Sequence, residues 1–370
     1  MRAVCFQDVH RVVVDEVDDP VVESATDAII KVDVAGLCGS DLHPYFGREH
    51  GLDPGTVMGH EFVGTVIDKG DAVRSFDVGD RVCSPFTTSC GKCFYCQNGL
   101  SARCEQGQLF GWRQYGQGLH GGQAEQVRVP LADGTLVKIP AGVTPEQALL
   151  LGDNLSTAYF GAALAIHSEL PDACVVIVGC GTVGLLAVKI ACDKSPSCVV
   201  AIDPNAKRAQ MAERQGATAF TDEQGAIEFV RRQTAGRGAD SVLEFVGLPA
   251  AQRLAFKIIR PGGRMSMIGF HTESNFAFAP SEAYDKNLTI CTGRCPARSL
   301  MESLVDRFRN EPLATSWCIT QRFGLHEGVS AYDVFGLYPT VKRQEPDASE
   351  SVRLREAGDS ANASQLRVGT

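Results

Sequence analysis

The sequence predicts an α/β protein built on two cores, a mostly β amino-terminal part and a doubly wound parallel sheet that follows it. Three observations carry this reading. From Met1 to about Pro140 short valine-containing runs are broken by glycine, as in AIIKVDVAGLCGSD, HEFVGTVIDKG and VGDRVCS, which read as strands and tight turns. From Cys174 onward the apolar runs CVVIVG, CVVAID, SVLEFVG and GRMSMIGF alternate with helical segments, the pattern of parallel strands joined by helical crossovers. A glycine-rich turn of the dinucleotide-binding type stands at the first strand-to-helix junction of that series.

The elements follow in order. Beyond the valine-rich part, Ala148, Leu151, Leu155 and Tyr159 recur at helical spacing between Gln147 and His167. The crossovers are predicted as helices over 184–193, 205–215, 225–234 and 250–259. After about Ser281 the run NLTICTGRC offers one more strand and MESLVDRFRN a helix, with no internal repeat. The end of the chain, PTVKRQEPDASESVRLREAGDSANASQLRVGT, is polar and poor in aromatics, so the sequence predicts a disordered tail and no closing strand, which would leave a sheet edge open.

Composition bounds the function. With 370 residues, 44% hydrophobic and 21% charged, the chain has room for two cores and no mark of disorder as a whole. A formal net charge of -9 argues against a nucleic-acid module, which needs a basic face to neutralise phosphates. No apolar run is long enough to span a bilayer, and no positively charged start precedes an apolar stretch, so no membrane partner is expected. Fourteen cysteines, several in apolar runs such as DACVVIVGC, point to a reducing interior, and a cytoplasmic protein is the expectation.

Two motifs carry chemistry by themselves. Cys90, Cys93, Cys96 and Cys104 stand in CGKCFYCQNGLSARC, where two-residue gaps bring successive thiolates onto one ion. Four sulfur ligands satisfy tetrahedral zinc and leave no position for reaction, so this ion would hold a loop. A disulfide reading needs an oxidising compartment. Gly179, Gly181 and Gly184 form G-x-G-x-x-G between CVVIV and VGLLAVKIA, and Asp203 ends the next strand. The first glycine permits the turn, the second lets backbone approach a pyrophosphate, and the third lets helix and strand pack closely. Asp203 can accept hydrogen bonds from an adenosine ribose and would repel a 2'-phosphate, which favours NAD over NADP. Arg208 is a candidate for the same ribose, although basic residues at such a helix start are more often simply solvated.

A third constellation is ambiguous. Cys38 in GLCGSDLH and His60 in MGHEFVG are bordered by glycines, and Asp153 follows Gly152 in LLLGDNLSTAY. Together they would make a three-ligand zinc site with an open fourth position, where the ion acts as Lewis acid. Singly they read as a small buried hydrophobe, a hydrogen-bonded turn residue and a helix N-cap.

From the amino terminus to about Tyr338 these residues resemble the zinc-dependent medium-chain alcohol dehydrogenase family. The resemblance implies a GroES-like catalytic domain over 1–150, a Rossmann domain over 151–289, a return to the catalytic domain over 290–340 and a tail over 341–370. It places Cys38, His60 and Asp153 on the catalytic zinc, with Glu61 as an occasional ligand and Asp41 as the carboxylate that holds His60. Cys90, Cys93, Cys96 and Cys104 fall on the structural zinc, so two zinc ions per subunit are expected together with NAD. Ser40 and His43 match a proton relay, Thr157 a position beside the nicotinamide, and Phe86 a wall of the substrate pocket. Phe110, Trp112 and Tyr115 are expected near the same cleft. Many members carry cysteine where Asp153 stands, and the aspartate is similar to bacterial secondary alcohol and glutathione-independent formaldehyde dehydrogenases. Gly39 replaces an arginine that often holds pyrophosphate, which leaves that anion to other groups.

The expected activity is NAD-dependent oxidation of an alcohol or aldehyde hydrate by a homo-oligomer, dimer or tetramer. A polyol or amino-alcohol dehydrogenase and a catalytically impaired cofactor binder are the alternatives.

Overall fold

A computed structural model describes residues 1–166, 172–270, 274–310, 316–334 and 340–343. Two sheets carry the architecture. In the first, six parallel strands lie in the order Thr218–Phe220, Cys198–Ile202, Cys174–Val178, Ala239–Glu244, Ile259–Met267 and Thr289–Thr292. The chain starts in the middle at Cys174–Val178, grows to one side, then jumps to the other at Ala239, which makes a topological switch point beside the first strand. All five residues of Cys174–Val178 are buried, as a central parallel strand covered on both faces must be.

The second sheet is antiparallel around the ten-residue strand Ala28–Leu37, which pairs with Phe62–Lys69 and, at its start, with Gln126–Val129. Arg81–Ser84 and Val137–Lys138 extend it on one side. On the other side lies a strand that the sequence does not predict. Thr340–Arg343 pairs antiparallel with Val34–Leu37 and parallel with Gln321–Gly324, so the expected absence of a closing strand, and the expected tail from 341, are corrected at 341–343. Strand formation there is decided by the edge that Ala28–Leu37 offers, since open backbone donors and acceptors accept a polar segment as readily as an apolar one. Residues 344–370, the rest of the expected tail, lie outside the described residues.

Helices deviate from the sequence expectation in two places that bear on function. The first crossover helix runs Thr182–Asp193, so it begins directly after Gly181 and contains Gly184. The helical spacing of 147–167 resolves into two helices, Pro145–Gly152 and Asn154–Ala165, separated by Asp153 with φ -144° and ψ -73°. Thr144 caps the first through Gln147 N–H, while Gln147 returns a bond to the Thr144 N–H.

These two helices join the sheets. One continuous apolar cluster holds Val34, Val63 and Cys83 of the antiparallel sheet, Leu149, Leu151 and Leu155 of the helix pair, Val175 and Ile177 of the parallel sheet, and Leu185 of the helix Thr182–Asp193. The Asp153 break sits within that shared core, so its side chain is placed by packing from both sides.

Candidate active site and metal centres

Three distant segments deliver one cluster. Cys38 follows the end of the strand Ala28–Leu37, His60 and Glu61 precede Phe62–Lys69, and Asp153 comes from the helix break. One ligand atom from each of Cys38, His60, Glu61 and Asp153 lies within 4.8 Å of all the others. The helix-cap alternative for Asp153 fails on its contacts: the carboxylate caps no helix N–H. Instead its Oδ2 sits 3.5 Å from Cys38 Sγ and 3.4 Å from His60 Nε2. Its Oδ1 accepts a 2.9 Å hydrogen bond from Thr157 Oγ1, so Thr157 also orients a ligand.

The surroundings fix each group. Asp41 Oδ1 lies 3.3 Å from His60 Nδ1, and Asp41 Oδ2 accepts from the Cys38 N–H at 2.9 Å. Asn154 donates to Glu61 Oε1 at 2.7 Å. Gly36 makes room for this acid, because a Cβ there would come within 2.1 Å of Glu61 Oε2. Ser40 Oγ lies 3.3 Å from both Cys38 Sγ and His60 Nε2. The Phe86 ring stands perpendicular to His60 at 6.4 Å between centroids.

The electrostatics fit a divalent cation. Burial, then Glu61 and Asp153, push the Cys38 thiol up to about 12, and burial and Asp153 push Glu61 up to about 8. Burial also opposes ionisation of Asp153, but His60 and Thr157 outweigh it and hold the carboxyl below its usual range. Burial would lower His60, and Asp41 with Asp153 more than reverse it. Thiol, imidazole and carboxylates at this spacing form a mixed donor set suited to zinc, whose charge favours the anionic forms that burial and mutual repulsion disfavour.

The cysteine lobe is a separate cluster. Sγ atoms of Cys90, Cys93, Cys96 and Cys104 lie within 4.8 Å of one another, and all four are free thiols. Backbone N–H groups point at the sulfurs, from Cys93 to Cys90 at 3.3 Å and from Cys90 to Cys104 at 3.2 Å. N–H groups of Cys96 and Glu105 bring Cys93 down to about 6, whereas burial and Cys93 raise Cys96 to about 12. Sulfur aimed at by amides is thiolate-ready, as a closed zinc site requires.

At the carboxyl ends of the parallel strands the glycine turn has the predicted shape. Gly179 has φ +93°, and a Cβ on Gly184 would come within 1.8 Å of the Gly179 carbonyl oxygen. A Cβ on Gly181 meets nothing within 4 Å, and this residue leads a twelve-residue helix with no side-chain cap. Open space at an uncapped helix N-terminus is where a pyrophosphate fits. Asp203 Oδ2 accepts from the Cys180 N–H at 2.8 Å, with Arg208 Nη1 at 3.8 Å from the same oxygen.

Some expected neighbours stand elsewhere. Phe110 packs against Phe62 in the core of the antiparallel sheet, Trp112 joins a cluster around Val4 and Tyr332, and Tyr115 is exposed on a hairpin tip. Apolar loop residues seek the nearest core, which here is the sheet beneath them. Asn154 and Gln123 were not singled out from sequence; the only signal for Asn154 is its place beside Asp153.

Comparisons with known proteins agree with this geometry. Residues 24–141 match the family model described as Alcohol dehydrogenase GroES-like domain, and residues 182–310 that described as Zinc-binding dehydrogenase. A protein named Zinc-type alcohol dehydrogenase B from Aspergillus flavus is 40% identical over 349 residues, covering 92% of this chain and 80% of that protein. The chain belongs to the zinc-dependent medium-chain dehydrogenase/reductase family. Among solved structures, the alcohol dehydrogenase TADH from Thermus sp. ATN1 aligns with a TM-score of 0.85 and 35% identity over 93% of this chain and all of that one. Zinc dependent alcohol dehydrogenase 2 from Streptococcus pneumonia aligns with 0.83 and 31% identity, over 95% of this chain and 100% of that one. Among the described residues no helix is long and apolar enough to cross a membrane.

Metal content separates the two clusters. Wild-type protein is expected to hold two zinc ions per chain by atomic emission, and Cys38→Ser one, with the fold intact by circular dichroism. Cys96→Ser should also lose one, together with stability of the lobe around residues 90–104, read as faster proteolysis there.

Proposed function

We propose that the protein oxidises a small alcohol with NAD, holding the reacting oxygen at the Cys38, His60 and Asp153 cluster. The observation that carries this reading is the convergence of those ligands, with Glu61, from three segments far apart in the chain. Zinc held there would supply a Lewis acid for an alcohol hydroxyl, and bound NAD would supply the hydride acceptor.

The chain's own groups do the rest. Asp41 keeps the proton of His60 on Nδ1, which leaves the Nε2 lone pair free to ligate. Ser40, within hydrogen-bond distance of Cys38 and His60, is placed to receive the hydroxyl proton. His43 is the next acceptor. Its Nδ1 is buried without a hydrogen-bond partner, and burial followed by Arg48 holds its pKa below 6.5, so the ring is neutral at pH 7. Phe86 and the adjoining Leu109, Phe160 and Leu300 form an apolar cluster beside His60 that excludes water and favours an alkyl substituent over a polyol.

Asp203 supports NAD over NADP, because a carboxylate held by the Cys180 N–H would face the 2'-position of the adenosine ribose. A cytosolic homo-oligomer belongs to the same proposal, and the fourteen free thiols support its reducing setting. The pairing of Thr340–Arg343 with Val34–Leu37 supports an active enzyme over a catalytically impaired binder.

NADH formation across a panel of primary, secondary and polyhydric alcohols tests the proposal. Turnover of secondary or primary alcohols, reduced about 10³-fold or more in Cys38→Ser, is expected, and absence of turnover with every alcohol would refute it. Asp203→Ser should weaken NAD roughly 10- to 100-fold, the worth of a charge-assisted hydrogen bond, and bring NADP into use. His43 accepts protons above its pKa and loses that capacity as pH falls, so the acid limb of kcat should lie below pH 6.5. His43→Ala should remove that limb and slow turnover roughly 10²-fold at neutral pH.

A further inference from the structure

Behind His60 runs a chain of buried hydrogen bonds that ends in the short helix Gly328–Asp333. Tyr332 Oη donates to Gln123 Oε1 at 3.0 Å. Gln123 Nε2 spends its two protons on the Gly36 carbonyl at 3.0 Å and on Asp41 Oδ2 at 3.3 Å. Asp41 in turn faces His60 Nδ1 at 3.3 Å. All four side chains are buried: Gln123 is 0% exposed, Tyr332 1%, Asp41 5% and His60 8%.

The amide in the middle has one orientation. Its oxygen receives a hydroxyl proton, and its nitrogen serves two acceptors, a carbonyl and a carboxylate. Flipping it would set the amide oxygen against both acceptors in a buried place, where an unmade bond costs most. The backbone is shaped to admit it as well. Gly59, beside His60, has φ +90°, and a Cβ there would come within 2.3 Å of Gln123 Cγ. The Gln123 N–H bonds the Met58 carbonyl at 2.9 Å, so the same turn that presents His60 seats the glutamine. Tyr332 is fixed from its other side by the Tyr45 ring at 5.2 Å.

Asp41 therefore has three fixed donors: the Cys38 N–H and Gln123 Nε2 on Oδ2, and the His60 Nδ1–H on Oδ1. A carboxylate held on one oxygen by two donors cannot rotate, and its other oxygen keeps the proton of His60 on Nδ1. We infer that Gln123 and Tyr332 are positioning residues for the catalytic metal, holding Asp41 in the rotation that orients His60 Nε2 toward the ion. Both act on the cluster through Asp41. This rests on the proposed role of the Cys38 cluster and adds to it a control of metal retention by the carboxyl-terminal part of the chain.

The test uses full-length protein loaded with zinc, and in parallel with cobalt. Gln123→Met keeps the volume and removes every polar contact, and Tyr332→Phe removes one hydroxyl. Loss of one of two zinc ions to a dipicolinate chelator should be about tenfold or more faster in Gln123→Met and faster by a smaller factor in Tyr332→Phe. The cobalt-thiolate absorption band of the Cys38 site should shift, while the ion of the cysteine lobe leaves at the wild-type rate. In Asp41→Asn the further change Gln123→Met should add little, because the two act in series. Unchanged metal loss and an unchanged cobalt spectrum in folded Gln123→Met overturn the inference. Should that variant not fold, the same two readouts on Tyr332→Phe decide. Two metals in wild type with unaltered retention in the variants refute the positioning role alone, whereas a single metal that survives Cys38→Ser refutes the proposed function and this inference with it.

Discussion

Four groups that repel one another as anions, or resist ionisation when buried, are pressed within 4.8 Å in the middle of this molecule, and the rest of the fold is arranged to hold them there. Left to ordinary protein forces such a cluster is costly: burial drives Cys38 up to about 12 and Glu61 to about 8. A dication reverses each of these effects. Its field favours thiolate and carboxylate, so ligand binding releases the protons that burial retains, and affinity for metal rises with pH. What the fold must supply is rigidity, since flexible groups would swing apart to water.

That rigidity comes from the joint between the sheets. Cys38 and Glu61 stand at the ends of paired strands, with the Gly36 N–H bonded to the Glu61 carbonyl at 2.8 Å. Asp153 needs more, because it stands where the helical backbone is interrupted, at φ -144° and ψ -73°. The break is held by apolar neighbours on both sides, Leu151 and Leu155 each being 1% exposed. Ser156 Oγ, donating at 2.6 Å to the Leu151 carbonyl, satisfies an acceptor that the interrupted helix leaves open. The carboxylate is then taken by Thr157 one turn on, so the helix that leads into the parallel-sheet domain also orients a member of the cluster.

How much of this was legible in the sequence follows from how local each signal is. The glycine turn, the strand Cys174–Val178 and Asp203 lie within one βαβ unit, and the cysteine lobe within fifteen positions, so pattern and spacing were enough. Cys38, His60 and Asp153 are each ambiguous alone, and only resemblance to a family joined them before the structure did. Asn154, Gln123 and Tyr332 gave no such signal: the hydroxyl of Tyr332 meets an amide 209 positions away. The helical period across 147–167 was correct in kind and blind to its own interruption, because Asp153 departs from helical geometry for tertiary contacts that no period encodes. Thr340–Arg343 was missed for the complementary reason, a polar segment made into a strand by the edge it meets.

The two metal clusters differ in a way that assigns their labour. In the cysteine lobe the sulfurs are half-buried and receive backbone N–H groups, and the Cys96 and Glu105 amides draw Cys93 down to about 6. Four like ligands on a short loop then close around an ion and leave nothing to exchange. In the buried cluster the donors are unlike one another, Glu61 is tied back by Asn154, and Ser40 stands at hydrogen-bond distance from two ligands. A mixed set of this kind offers the donors that would hold zinc with one position left for a substrate oxygen. The first arrangement would commit all its donors to holding an ion; under the proposed function the second would keep one position for chemistry, and it is there that the hydrogen-bonded support behind His60 bears.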